Sequence, residues 1–326
     1  MTVLITGGAG YIGGHAVLAF LDRGETPVVL DDLSTGSRSA IPSEVPFIFG
    51  DVGDTSLLLQ IIEAHKIDAI LHFAAKIVVP ESIADPLAYY LNNTAKTRAL
   101  LEAAVKGKVR YFVFSSTAAV YGNPNRATVN EETVPAPLSP YGMSKLMSEF
   151  MIRDVSAAYG QKHVILRYFN VAGADPKGRH GQSTANATHL IKVAIETALG
   201  RRPFMNIFGN DYPTPDGTCV RDYVHVSDLA YAHLLALDQL RLDGVSRTLN
   251  CGYGRGYSVR EVVEAVRRVA GTNFEVRQAP RRPGDPASII ASNDQLVRLG
   301  WKPELHDLSV IVQHALAWEK SCVIRV

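Results

Sequence analysis

Cysteine is scarce in this chain. Cys219, Cys251 and Cys322 are the only three in 326 residues, and they lie far apart. An odd number at such spacing suits neither a disulfide framework nor a zinc site. Three reduced thiols in a cytosolic protein are expected instead. Net charge is nearly absent as well: 33 Lys and Arg stand against 32 Asp and Glu. That balance leaves no basic surface for nucleic acid and no acidic tail. No apolar run is long enough to cross a bilayer. The start of the chain lacks the basic residues and long apolar core of a signal peptide, so a cytoplasmic location is expected. The histidines show no metal-ligand spacing, and no metal is expected. Internal repeats, low-complexity tracts and linkers are also missing.

What is present supports a sizeable core, with 47% hydrophobic and 20% charged residues. The length suits one large domain or two of ordinary size. Short apolar strands are expected at 3–6, 28–30, 47–49, 69–73, 111–115 and 164–168. Helices are expected between them at 11–23, 57–65, 87–105 and 145–159. Such alternation predicts an α/β fold, a doubly wound parallel sheet covered on both faces. After Asn170 the pattern changes. Gly, Pro and polar residues become frequent, and helices at 258–270 and 308–320 are separated by irregular segments. The expected division is a first domain at 1–170, with a return segment near 218–240. A smaller mixed α/β domain follows at 171–326.

Gly7, Gly10 and Gly13 fall between the first strand and the first helix, with Tyr11 and Ile12 inside the pattern. Glycines there allow a tight turn and close approach of backbone to a pyrophosphate, and the helix N-terminus offers free N–H groups. Three glycines alone are weak evidence; the strand–loop–helix setting makes the Rossmann-type reading strong. An acid ending the second strand is expected on the adenosine ribose. Asp31 is favoured, with Asp32 the alternative. A carboxylate there repels a 2′-phosphate, so NAD is expected over NADP. Asp51 ends the third strand at the same edge, followed by Val52. It suits either an adenine amino group or an ordinary turn. Ala74 and Ala75 are small enough to let a dinucleotide lie close, or they simply pack.

Tyr141 precedes Lys145 by four residues, one helical turn, which puts both on one face. A phenol of pKa roughly 10 is a poor base at neutral pH. A neighbouring ammonium stabilises its phenolate, so Lys145 is expected to lower the Tyr141 pKa. Phe114, Ser115, Ser116 and Thr117 come shortly before the pair. Together with the glycine loop, these segments point to hydride chemistry on a bound nicotinamide.

At this point the sequence resembles the extended short-chain dehydrogenase/reductase superfamily. Within it, the chain is similar to the 4-epimerases of UDP-glucose and UDP-galactose. Matching segments run almost end to end: 7–13, 50–52, 72–75, 89–93, 114–117, 139–145, 166–173, 207–214, 217–226 and 279–285. The resemblance implies that the first domain binds NAD and the second a UDP-sugar. It makes Tyr141 the base, Lys145 its electrostatic partner and nicotinamide-ribose ligand, and Thr117 the hydroxyl that bonds the sugar O4. Asn92 and Ser115 fall at cofactor-contact positions, and Phe169 packs near the nicotinamide. Asn170, His189, Leu190, Asn206, Ile207, Phe208, Arg221, Arg282 and Asp285 fall at UDP-binding positions. The arginine forks suit a diphosphate. Lys76 is left out, because the lysine some members carry aligns with Ile77. Ser288 falls where a bulky tyrosine excludes N-acetyl sugars, which implies room for UDP-N-acetylglucosamine beside UDP-glucose.

The closest enzymatic rival, a sugar-nucleotide 4,6-dehydratase, needs an Asp–Glu pair after the threonine. Ala118 and Ala119 stand there and cannot transfer protons. A 4-epimerase of a UDP-pentose or UDP-uronate stays open. A non-catalytic NAD-binding protein would have little use for Tyr141, Lys145 and Thr117 together. The resemblance also implies a homodimer through helices 87–105 and 145–159. Leu91, Leu100 and Phe150 would either serve that contact or face the parent sheet.

Overall fold

The computed structural model describes residues 2–184, 187–282 and 284–324. Pro283, inside the matching segment 279–285, lies outside the described residues. The strands are β1 (Thr2–Thr6), β2 (Val28–Asp31), β3 (Phe47–Phe49), β4 (Ile67–His72), β5 (Tyr111–Thr117), β6 (Thr128–Val129) and β7 (Lys162–Tyr168). They continue as β8 (Asn170–Ala172), β9 (Met205–Phe208), β10 (Val220–His225), β11 (Arg247–Cys251), β12 (Gly256–Ser258), β13 (Val276–Ala279) and β14 (Ser288–Ala291). The helices are α1 (Tyr11–Asp22), α2 (Thr55–His65), α3 (Val79–Ala84), α4 (Pro86–Tyr89), α5 (Lys96–Lys106) and α6 (Pro140–Tyr159). Then come α7 (Leu190–Ala198), α8 (Val226–Asp243), α9 (Val259–Ala270), α10 (Asp294–Arg298) and α11 (Leu308–Ile324).

Seven parallel strands form the main sheet in the order β3-β2-β1-β4-β5-β7-β11. The order reverses at β1, so a crevice opens between β1 and β4 at the carboxyl edge of the sheet. Their near-continuous apolar sequences suit burial on both faces. One face packs Val17 and Phe20 of α1 against Leu229 and Leu237 of α8. The other packs Leu58 of α2, Leu100 of α5 and Ile152 of α6. Leu100 thus faces the parent sheet, whereas Leu91 and Phe150 are exposed. Strands β8, β10, β12, β14 and β6 form a second sheet, and β9 pairs with β13.

Two helices differ from expectation, and both differences bear on the site. The helix expected at 145–159 begins at Pro140. Ser139 caps it by accepting from the Gly142 N–H at 3.2 Å, and Pro140 occupies the first turn, where its missing donor costs nothing. Tyr141 and Lys145 are therefore both helical. The helix expected at 87–105 is interrupted by a π-helical stretch, Tyr90–Ala95, between α4 and α5. The π turns carry Asn92 and Asn93 and change which side chains face α6.

Candidate active site

Parallel strands bring β1, β2, β4 and β5 to a common edge, and the residues expected to act follow their carboxyl ends. Gly7 takes a left-handed φ of +73°, which favours glycine. A Cβ on Gly7 would lie 2.5 Å from the Ala74 nitrogen, and one on Gly13 would lie 2.2 Å from the Gly7 carbonyl oxygen. A Cβ on Gly10, the N-cap of α1, would sit 3.3 Å from that same oxygen. The loop is a compact turn whose helix end has N–H groups to offer, a cradle that fits a dinucleotide diphosphate. Tyr11 donates its hydroxyl to the Gly173 carbonyl at 2.7 Å, tying the loop to the segment after β8.

Asp31 is buried and Asp32 exposed. Asp31 accepts from the Ala9 N–H at 2.9 Å and the Leu33 N–H at 2.8 Å, so it braces the glycine loop. Burial raises its pKa, and the two N–H bonds oppose that shift. Asp51 is already engaged: it accepts from Gly53 N–H at 2.7 Å and from Lys96 Nζ at 2.6 Å. Each oxygen keeps a second lone pair for a ligand donor. Val52 packs into the core below. Ala74 and Ala75 are half-buried beside Gly7, while Lys76 is exposed and paired with Glu81. Asn92 is half-buried and donates to Asn93. Asn93 joins the Lys76 backbone to the Ser144 hydroxyl on α6, a role no local pattern announces.

Tyr141, Thr117 and Lys145 meet at the end of β5. Tyr141 lies beside Thr117 and edge-on to Tyr89, ring centroids 6.5 Å apart. Lys145 donates to the Ser115 carbonyl at 2.9 Å, with its Nζ 4.8 Å from the centre of the Phe114 ring. The Ser115 hydroxyl donates to Tyr168 at 3.0 Å. Burial pushes the Tyr141 phenol above its ordinary value, and the Thr117 side chain opposes this. Burial also pulls the Lys145 ammonium down to about 7. In the protein alone, desolvation therefore outweighs the expected lowering of Tyr141 by Lys145.

Phe169 is buried against Ala118, Leu146 and Ile289. Asn170, His189 and Leu190 line a cavity with Tyr11, Tyr223 and Trp318. Asn206, Ile207 and Phe208 lie in β9. The Arg282 guanidinium stacks 3.8 Å from the Phe208 ring centre, and Arg221 reaches Asp285 at 3.5 Å. Ser288 opens β14 opposite Val220, next to Arg221, and is half-buried. Its neighbour Asp222 was not expected to matter. Its buried carboxylate accepts from Tyr253, Gly254 and Ala291 N–H groups and thereby fixes β10 against β14.

A buried polar cluster beneath these residues was also missed. Glu149 Oε1 accepts from the Ser116 hydroxyl at 2.6 Å and from Arg167 Nε at 3.0 Å. Its Oε2 accepts from Arg167 Nη2 at 2.6 Å and from Arg153 Nη2 at 3.1 Å. Arg167 Nη1 reaches the Tyr121 hydroxyl, which donates to Asn250 on β11 at 2.6 Å. Removing one member of such a pair costs about 3–5 kcal/mol, because the other charge stays buried.

The model of the NAD dependent epimerase/dehydratase family matches residues 3–252. A UDP-glucose 4-epimerase of Azospirillum brasilense is 55% identical over 320 residues, 98% of this chain and 92% of that protein. The crystal structure of UDP-glucose 4-epimerase from Brucella ovis in complex with NAD is 41% identical, covers 97% of each chain and superposes with a TM-score of 0.94. The UDP-Glc/GlcNAc 4-epimerase from Campylobacter jejuni is 48% identical over 98% of this chain and 99% of its own, with a TM-score of 0.86. By motif, topology and near end-to-end identity, the chain belongs to the NAD dependent epimerase/dehydratase family, among its UDP-glucose 4-epimerases.

Proposed function

We propose that this enzyme inverts C4 of a UDP-hexose, interconverting UDP-galactose and UDP-glucose through a 4-keto sugar. The observation that carries the reading is Tyr141 set beside Thr117, with Lys145 one turn along, at the edge of the sheet that holds the glycine loop. Gly7, Gly10, Tyr11, Ile12, Gly13, Asp31, Asp51, Val52, Ala74, Ala75, Asn92, Ser115 and Phe169 would hold NAD together with Tyr141 and Lys145. When bound, NAD supplies reversible hydride exchange at the sugar carbon. Tyr141 takes the 4-OH proton and returns it, with Thr117 orienting O4. Lys145 offsets the negative charge on the phenolate. Incubating the purified protein with UDP-galactose, with no nucleotide added, should yield UDP-glucose on chromatography. No product even after NAD is supplied would sink the hexose reading and favour a UDP-pentose or UDP-uronate.

The UDP grip is assigned to Asn170, His189, Leu190, Asn206, Ile207, Phe208, Arg221, Arg282 and Asp285. These groups are many, and the sugar contacts few, which suits a sugar that must turn while its nucleotide stays fixed. Ser288 is proposed to leave room for an N-acetyl group at C2. Its small, half-buried side chain beside β10 supports this. UDP-N-acetylgalactosamine should then be turned over. Ser288→Tyr should cut that turnover by about tenfold or more while UDP-galactose keeps most of its rate, since one misplaced group in a pocket is worth about 1–3 kcal/mol. Equal losses on both sugars would remove Ser288 from selection.

We assign NAD binding to 1–170 with a return near 218–240, and UDP-sugar binding to 171–326. Helix α8 packs on the main sheet, in support of that return, but β10 pairs in the second sheet and β11, beyond residue 240, joins the main sheet at its edge. A homodimer is proposed through the face carrying Leu87, Leu91, Met147 and Phe150, all exposed. Apolar area of this kind suits a partner surface. A cytoplasmic role in galactose metabolism is the matching assignment. The buried thiols of Cys219 and Cys251 suit a reducing compartment, and no described helix is long and apolar enough to cross a membrane.

A further inference from the structure

We propose that Glu149, clamped by Arg167, is a positioning residue for Lys145 and Thr117. The proposal rests on the roles given above to Tyr141, Thr117 and Lys145. Tyr141, Lys145 and Glu149 are spaced four residues apart on α6 and share one helix face. They reach three consecutive residues of β5. Tyr141 lies beside Thr117, Lys145 bonds the Ser115 carbonyl, and Glu149 accepts from the Ser116 hydroxyl between them. The Ser116–Glu149 bond therefore pins the strand between the two groups that the chemistry uses.

A neutral side chain would suffice as a tether. Instead the position holds a fully buried carboxylate paired with a buried guanidinium. Burying two charges is costly, so a charge at this place points to an electrostatic task. Lys145 is the buried cation one turn away, and its ammonium donates to a neutral carbonyl. Burial pulls its pKa to about 7, and the negative charge of Glu149 is the influence that opposes this. The other titratable groups around Lys145 are Tyr141 on α6 and His72 on β4, the latter kept neutral by burial with a pKa of about 3. Around Glu149 stand Arg167 and His163 on β7, Arg153 on α6, and Tyr121 after β5.

The test reads Lys145 without substrate. The Cε resonance of isotope-labelled Lys145, assigned by its loss in Lys145→Met, is titrated against pH in the NAD-loaded protein. In Glu149→Gln the midpoint should fall by about one pH unit, since an attractive charge has gone. The kcat for UDP-galactose should fall roughly tenfold, with its high-pH limb moved the same way and UDP affinity kept. Ser116→Ala should cut kcat severalfold and leave the midpoint in place, separating tether from charge. A folded Glu149→Gln protein with the parental midpoint and parental pH profile overturns the proposal. Should that variant fail to fold, Glu149→Gln/Arg167→Met removes both buried charges, and an unmoved midpoint there overturns it equally. A parental kcat in Ser116→Ala overturns the Thr117 half. A shifted midpoint in a protein that turns over no UDP-sugar would support the placing of Lys145 while rejecting the epimerase reading.

Discussion

Tyr141→Phe is expected to lower kcat by about three to four orders of magnitude while UDP binding stays within about twofold of the parent. The ring is buried and edge-on to Tyr89, so phenylalanine keeps the packing. Only the hydroxyl is lost. The neighbouring phenols are engaged elsewhere: the Tyr89 hydroxyl is held by Val78 and Glu81, and the Tyr168 hydroxyl by Ser115. The electrostatics add a corollary. Burial raises the Tyr141 pKa, and Lys145, itself lowered to about 7, does not overcome it. A further positive charge would add to the stabilisation of the phenolate, and a bound nicotinamide ring carries one. Ultraviolet difference spectra, parent minus Tyr141→Phe, should show the phenolate at a lower pH in the NAD-loaded protein than in protein stripped of NAD. Identical titrations would place the activating charge elsewhere, and undiminished turnover in Tyr141→Phe would remove this residue from the reaction.

What the sequence made legible was local. The run from β1 through the glycines to α1 is contiguous, so its chemistry can be read from spacing alone, and the Tyr141–Lys145 pair needs only the helical repeat. Helix ends were less clear. Ser139-Pro140 is a strong start signal, yet the apolar pattern begins later, which hid the first turn of α6. The π-helical turns at Tyr90–Ala95 shift register within an otherwise helical pattern, which periodicity cannot reveal. The polar cluster was hidden for another reason. Ser116 and Glu149 are 33 residues apart, and Tyr121 and Asn250 are 129 apart. Read singly, Glu149 is an ordinary charged helix residue. Only the pairing of β5, β7 and β11 brings its partners under it. The second sheet was illegible for the same reason, since β6 and β14 each contribute only a few residues and pair across a long stretch of chain.

The glycine loop separates two effects that single substitutions usually mix, and the second large expected loss lies there. Gly13→Ala would place its methyl 2.2 Å from the Gly7 oxygen and 2.9 Å from the Gly8 Cα. Both are backbone atoms of the turn, so no flexible side chain can give way. Overpacking typically costs about 1–3 kcal/mol, and a clash with rigid backbone belongs at or above the upper end. Against a total stability of about 5–15 kcal/mol the fold should survive with a lowered Tm. The turn itself must open, however, and retained NAD should fall by a hundredfold or more, on the order of 3 kcal/mol. Gly10→Ala is the informative contrast. Its methyl would meet the Gly7 oxygen at 3.3 Å, a squeeze relieved by a shift of a few tenths of an ångström. Its Tm should stay close to the parent's. Gly10 nonetheless caps α1 at the mouth of the cradle, where a methyl would crowd a diphosphate held on the helix-end N–H groups. NAD released on acid denaturation should therefore drop in both variants, with a loss of Tm in Gly13→Ala alone. A Gly10→Ala protein that holds NAD as tightly as the parent would move the diphosphate away from this turn.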